Sequence, residues 1–148
     1  METFFLSSEL SLLGLALSGF LSATLLPGSS EALLLLYLEQ SAVEPLLLIT
    51  VVGLANTLGG MSTLWLGRWS QQQLVARGRY REPSSAAIAK VRRWGAPILL
   101  LSWVPLIGDG LCLAAGWLKL AWLPSMLAML LGKSLRYAAL AYWWLGQV

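Results

Sequence analysis

The sequence predicts an all-α integral membrane protein. It reads as an inverted repeat of a re-entrant helical hairpin plus a transmembrane helix, with a cytoplasmic amphipathic helix between the repeats. Three observations predict this. The 148 residues are 57% hydrophobic and only 11% charged, with a mean hydropathy of +0.71. Soluble domains carry roughly 25% charged residues, so a chain this apolar takes the bilayer as its solvent. A proline-to-acid motif then occurs twice inside apolar sequence, as Pro27-Gly28-Ser29-Ser30-Glu31 and Pro105-Leu106-Ile107-Gly108-Asp109, 78 positions apart. Pro45 and Pro124, Gly53 and Gly132, and Gly67 and Gly146 recur at a spacing of 79. Internal duplication with Pro/Gly-interrupted apolar segments in matching places is the sequence mark of a transporter binding site. Finally, seven basic residues (Arg68, Arg77, Arg79, Arg81, Lys90, Arg92, Arg93) stand against Glu82 alone in the middle of the chain, which puts that loop in the cytoplasm.

One fold unit is expected over 1–148, with repeat 1 at 4–67, a basic connector at 68–93 and repeat 2 at 94–148. Residues 4–26 are apolar. The first 26 residues contain no Lys or Arg and carry Glu2, so they read as retained structure rather than a cleaved signal. The Leu-rich run 32–38 ends at Glu39 and Glu44. A helix needs about 20 residues to cross, so this run pairs with the segment before Pro27 as one hairpin. Residues 45–67 are long enough to span. Residues 70–83, with Gly78 and Pro83, read as flexible. Residues 84–94 read as an amphipathic helix capped by Ser84 or Ser85. Its stripe of Ala87, Ile88, Val91 and Trp94 would lie on the inner leaflet, with Lys90 and Arg93 off the stripe; a plain solvated connector is the alternative. Residues 94–104 and 110–118 form the second hairpin around Pro105 and Gly108, and 122–146 form the second span. The first hairpin opens outside and the second inside, with Lys119 at its base. The tryptophans near the span ends read as belt anchors, and the span glycines as close helix contacts more than hinges.

Four plain spans are the rival topology. They set Glu31 or Asp109 near lipid, or make a span tolerate Glu39, Glu44 and Pro45, at a cost of several kcal/mol.

The intramembrane charges carry the functional reading. Lys133 and Arg136 are three apart near the middle of the second span and share a helix face. Asn56 is at the midpoint of the first. The hairpin tips place Glu31 and Asp109 at similar depth from opposite sides. An unpaired charge at the bilayer centre costs about 2.5–3.5 kcal/mol. Four of them would cost on the order of 10–14 kcal/mol, comparable to the stability of a whole domain. The four must therefore pair, protonate or face water. One reading is that they staple the repeats together. The other is a polar cavity in which Lys133, Arg136 and the helix N-termini after Pro27 and Pro105 hold an anionic headgroup, above all a phosphate. Asn56 would be a polar contact. Glu31 and Asp109 would be proton-coupling groups, because a low-dielectric site disfavours an ionised carboxylate.

With no histidine and only Cys112, neither an internal disulfide nor a metal-ligand cluster is expected, and no nucleophile stands beside an evident base. The expectation is a transporter and not an enzyme, with no cofactor beyond protons as a coupling ion. A membrane lipid is the expected partner, with no nucleic acid. A proton-coupled carrier of an ion or small solute, and a non-transporting membrane organiser, are the rivals. Two full spans leave little lateral wall, which favours a homodimer.

The run Phe20-Leu-Ser-Ala-Thr-Leu-Leu-Pro-Gly-Ser-Ser-Glu31 is followed by Gly53-x-x-Asn56-x-x-Gly59-Gly60 and Gly67-Arg68. Then come Leu101-Ser-Trp-Val-Pro-Leu-Ile-Gly-Asp109, Ala115-Gly-Trp117 and Gly132-Lys-x-x-Arg136-Tyr137. Together these resemble the YqaA group of the DedA family, within the SNARE-associated (VTT domain) superfamily of membrane proteins, over nearly the whole chain. The resemblance implies two opposed re-entrant hairpins in a bacterial inner membrane. It also implies lipid translocation, as by flippases for undecaprenyl phosphate or phospholipids and by eukaryotic scramblases, and dependence on the proton-motive force. The anionic partner it implies is a phospholipid or a polyprenyl phosphate. The main DedA pattern has arginines around the second hairpin's proline; here Trp103 and Asp109 stand there. Arg136 and Lys133, on the adjacent span, are the basic residues that would replace them. This departure bears on undecaprenyl phosphate as the substrate more than on lipid transport as a class.

Overall fold

A computed structural model describes residues 2–23, 28–40 and 43–147, with side chains from residue 10 onward. The described residues are helical, with no strand among them. The helices are α1 (Glu2–Ser22), α2 (Ser29–Gln40), α3 (Pro45–Ala76), α4 (Ala86–Trp94), a 3-10 helix (Ala96–Trp103), α5 (Ile107–Trp117) and α6 (Trp122–Leu145). Pro27, expected to break the first hairpin, lies outside the described residues. Gly28 precedes α2 with a φ of +97°, a conformation that glycine adopts at little cost.

Among the described residues, α3 is both long and apolar enough to cross a membrane by length and composition. It starts at Pro45, whose fixed φ suits a first helical turn, and runs nine residues past the expected end at Gly67. The added stretch Ser70-Gln-Gln-Gln-Leu-Val-Ala76 contains good helix formers, which carry the helix into what the sequence read as flexible connector. The 24 residues of α6 give about 36 Å of helix at 1.5 Å per residue, with Lys133 and Arg136 in its interior.

The chain forms two compact units. The first comprises residues 1–59 and 133–148. Here α1 packs on α2, around a core of Leu15, Leu34, Leu48, Val52 and Tyr137. The second comprises residues 60–132. Its core joins Leu64, Ile88, Val91, Leu99, Leu111, Cys112, Ala114, Ala115, Ala128 and Met129.

In the second unit α4 forms as expected. The Ser85 side chain caps it by accepting from the Ile88 N–H at 3.2 Å. The use of its apolar stripe differs from the expectation. Ile88 and Val91 are buried in the unit's own core, and α4 packs on α5 and on the 3-10 helix, while Trp94 is 60% exposed. An apolar stripe has the same sequence signature whether it faces lipid or protein, and here packing takes it.

The second proline–acid break lies between Trp103 and Ile107. Val104 is extended and Leu106 takes a φ of +65°, a left-handed conformation uncommon for a branched side chain. Gly108 follows in the first turn of α5. A Cβ there would run into the Ser102 backbone, so the turn can close this tightly only on glycine.

Candidate functional site

The first unit gathers polar side chains from four helices. Ser30 and Glu31 occupy the first turn of α2, where a carboxylate is favoured by the helix dipole. Glu31 forms an ion pair with Arg136 of α6, and both side chains are about three-quarters buried (25% and 24% exposed). The adjacent pair follows suit. Ser30 is fully buried; its hydroxyl lies 2.8 Å from the hydroxyl of Tyr137 and donates to Ser22 Oγ at 3.0 Å. Two consecutive residues of α2 thus engage two consecutive residues of α6.

One turn back along α6, Lys133 is 3% exposed. Its Nζ donates to Asn56 Oδ1 at 2.5 Å, and Asn56 Nδ2 donates to the Gly19 carbonyl at 2.9 Å. The last four carbonyls of a helix have no partner within it. Gly19 is in the last turn of α1, so Asn56 satisfies an orphan acceptor while holding the ammonium with its other end. An uncompensated polar group here would cost about 1–3 kcal/mol, which ties the mid-helix amide to this place. Thr57, by contrast, turns its hydroxyl back to the Gly53 carbonyl of its own helix at 2.7 Å.

Of the residues expected to form the site, Glu31, Arg136, Lys133 and Asn56 come together in the first unit as two contacts, Glu31–Arg136 and Lys133–Asn56. Asp109 belongs to the second unit, half-buried in the first turn of α5, and Gly108 and Pro105 lie at the break before it. Ser22, Ser30 and Tyr137 were not anticipated. The signal for Tyr137 was present: positions 133, 136 and 137 share one helix face. Ser30 had only its place next to Glu31 to mark it.

In the second unit, polar contacts gather where α3 meets the end of α5. Arg68 Nη2 donates to the carbonyls of Lys119 and Leu120 at 3.1 and 3.2 Å. A cation there compensates the negative end of α5. Its guanidinium also lies 5.0 Å from the Trp122 ring centroid.

Inner membrane protein YqaA of Escherichia coli K12 and its counterpart from Shigella flexneri are each 40% identical to this chain over 146 residues, covering 94% of it and 99% of each relative. An uncharacterised protein of Haemophilus influenzae is 41% identical over 133 residues, covering 85% of this chain and 82% of the relative. No family model matches the chain, and no solved structure matches it. At 40% identity over nearly the whole length of the two inner-membrane relatives, the chain belongs to the YqaA group of the DedA family of membrane proteins.

Proposed function

We propose that this chain is a non-enzymatic transporter of the bacterial inner membrane that moves an anionic phospholipid or a polyprenyl phosphate between leaflets with proton coupling. The observation that carries the reading is the Glu31–Arg136 ion pair beside the buried Lys133–Asn56 contact, the two bases both lying inside the mostly apolar α6. An intramembrane ion pair is costly and functional by default. A guanidinium binds phosphate in the same forked geometry as carboxylate. A headgroup phosphate therefore competes with Glu31 for Arg136. Once displaced, the Glu31 carboxylate takes up a proton, which offsets the charge that the headgroup brings in. One proton then accompanies each added negative charge.

In this reading α1 with α2, and the 3-10 helix with α5, are re-entrant hairpins of opposite topology. Helices α3 and α6 cross the membrane, and the connector faces the cytoplasm. The break before α5 supplies Asp109 as a second proton-accepting group, and two copies of the chain close the lateral wall. Reconstitution tests the reading. Proteoliposomes carrying a fluorescent anionic phospholipid should show leaflet exchange that a pH gradient accelerates. Flux of an ion or small solute without lipid exchange would favour the carrier alternative. Swapped charges, Glu31→Lys with Lys133→Glu, that restored both folding and the cellular phenotype would favour a structural organiser.

A further inference from the structure

Two motifs singled out in the sequence, Gly67-Arg68 and Ala115-Gly-Trp117, are left unused by the proposed transport site, and the second unit brings them into contact. A Cβ on Gly67 would lie 3.2 Å from the Trp117 backbone nitrogen, and one on Gly116 would lie 3.0 Å from that of Arg68. The backbones of α3 and α5 therefore touch, and only glycine at both positions allows it. Three buried polar atoms in this neighbourhood have no hydrogen-bond partner among the described residues: Arg68 Nε, Trp117 Nε1 and Gln71 Oε1. Gln71 is 9% exposed. It lies one turn beyond Gly67 and Arg68, on the face of α3 that meets α5. Buried polar atoms are nearly always satisfied, and here two donors, one of them part of the Arg68 guanidinium, and one acceptor are left on three residues of the same helix crossing.

We propose that this crossing is a binding site for one phospholipid headgroup, distinct from the transport site and independent of whether the chain transports lipid. Arg68 Nε and Trp117 Nε1 donate to the phosphate, and Gln71 Oε1 accepts from an N–H or O–H of the headgroup alcohol. The occupant is a lipid rather than free phosphate because an apolar ring lies against the Arg68 guanidinium. That ring, Trp122, is 39% exposed, as for a residue at headgroup depth in a bilayer. Charge also fits: Arg68 offers a guanidinium whose Nη2 is engaged with α5 while Nε remains for an anion.

The chemistry sets a preference. Phosphatidylethanolamine and phosphatidylglycerol carry a headgroup donor for Gln71, and phosphatidylcholine does not. Native mass spectrometry of the full chain released from nanodiscs should show one retained phosphatidylethanolamine or phosphatidylglycerol, held about tenfold more tightly than phosphatidylcholine, the effect of one hydrogen bond. Trp117→Phe keeps the ring and removes the donor; Gln71→Met keeps the length and removes the acceptor. Each should lose about tenfold in retention without a change in helical content, and Gln71→Met should erase the preference over phosphatidylcholine. Equal retention of all three lipids by the wild-type chain would overturn the proposal. So would unchanged retention in either folded variant, or displacement of the lipid by millimolar inorganic phosphate.

Discussion

The first unit buries Ser22, Ser30, Asn56 and Lys133 around a small apolar core and holds them with hydrogen bonds between helices. The second packs ten apolar or sulfur-bearing residues into one cluster, with helices drawn so close at Gly67, Gly108 and Gly116 that backbone meets backbone. The difference teaches where each is vulnerable. Polar partners specify the first unit, so removing one side of a pair harms it most. Contact distance constrains both, at Gly59 against the Phe20 carbonyl in the first unit and more tightly at Gly67, Gly108 and Gly116 in the second, where adding a single carbon does the most harm.

The largest expected effect is in the first unit. Arg136→Met leaves the Glu31 carboxylate without its guanidinium and should cost about 3–5 kcal/mol, read as a lowered unfolding midpoint in detergent. Combining it with Glu31→Gln should recover most of that loss; if the double variant is as unstable as the single, charge is not what the pair contributes. Next comes the second unit. Gly116→Ala drives a Cβ into the Leu64 carbonyl and should cost about 1–3 kcal/mol. Gly110→Ala, six residues earlier on the same helix with no neighbouring atom within 4 Å, should be neutral or stabilising by up to about 1 kcal/mol. Equal melting of the two alanine variants would remove close approach from the account. Ser85→Ala strips the cap from α4 and should cost about 1 kcal/mol, visible as faster amide exchange at Ile88. The smallest effect is expected from Tyr137→Phe, about 0.5–1.5 kcal/mol. Ser30 keeps its bond to Ser22, and the ring stays in the core.

Much of the helical layout was legible because its signals are local: Pro45 at the start of α3, the cap at Ser85, the breaks around Gly28 and Pro105. The meeting of Glu31 with the basic face of α6 was legible too, because intramembrane charges must find partners. Which base took the acid was not, since Lys133 and Arg136 stand one turn apart with the same charge. Arg136 takes Glu31, and Lys133 goes to an amide that also closes the end of α1. Ser22 and Ser30 were hidden because a hydroxyl in an apolar helix can satisfy itself on its own backbone, as Thr57 does. The eight-residue 3-10 helix was equally hidden: such runs rarely exceed a turn, and an unbroken apolar run does not announce the tighter winding. The connector differs from its sequence pattern twice for related reasons, as α3 persists to Ala76 and the stripe of α4 packs inward. Hydrophobic period reports that a face is buried without reporting against what.

The central claim is that the Glu31–Arg136 pair exchanges with a lipid phosphate and is more than a staple. The most direct measurement compares leaflet exchange of a fluorescent anionic phospholipid by the wild-type chain and by Glu31→Gln/Arg136→Gln, both folded and reconstituted at equal density. The neutral pair can still hydrogen-bond between α2 and α6 but can neither hold the phosphate nor carry the proton, so exchange should fall to that of protein-free vesicles. Exchange at the wild-type rate from the folded neutral pair would contradict the account.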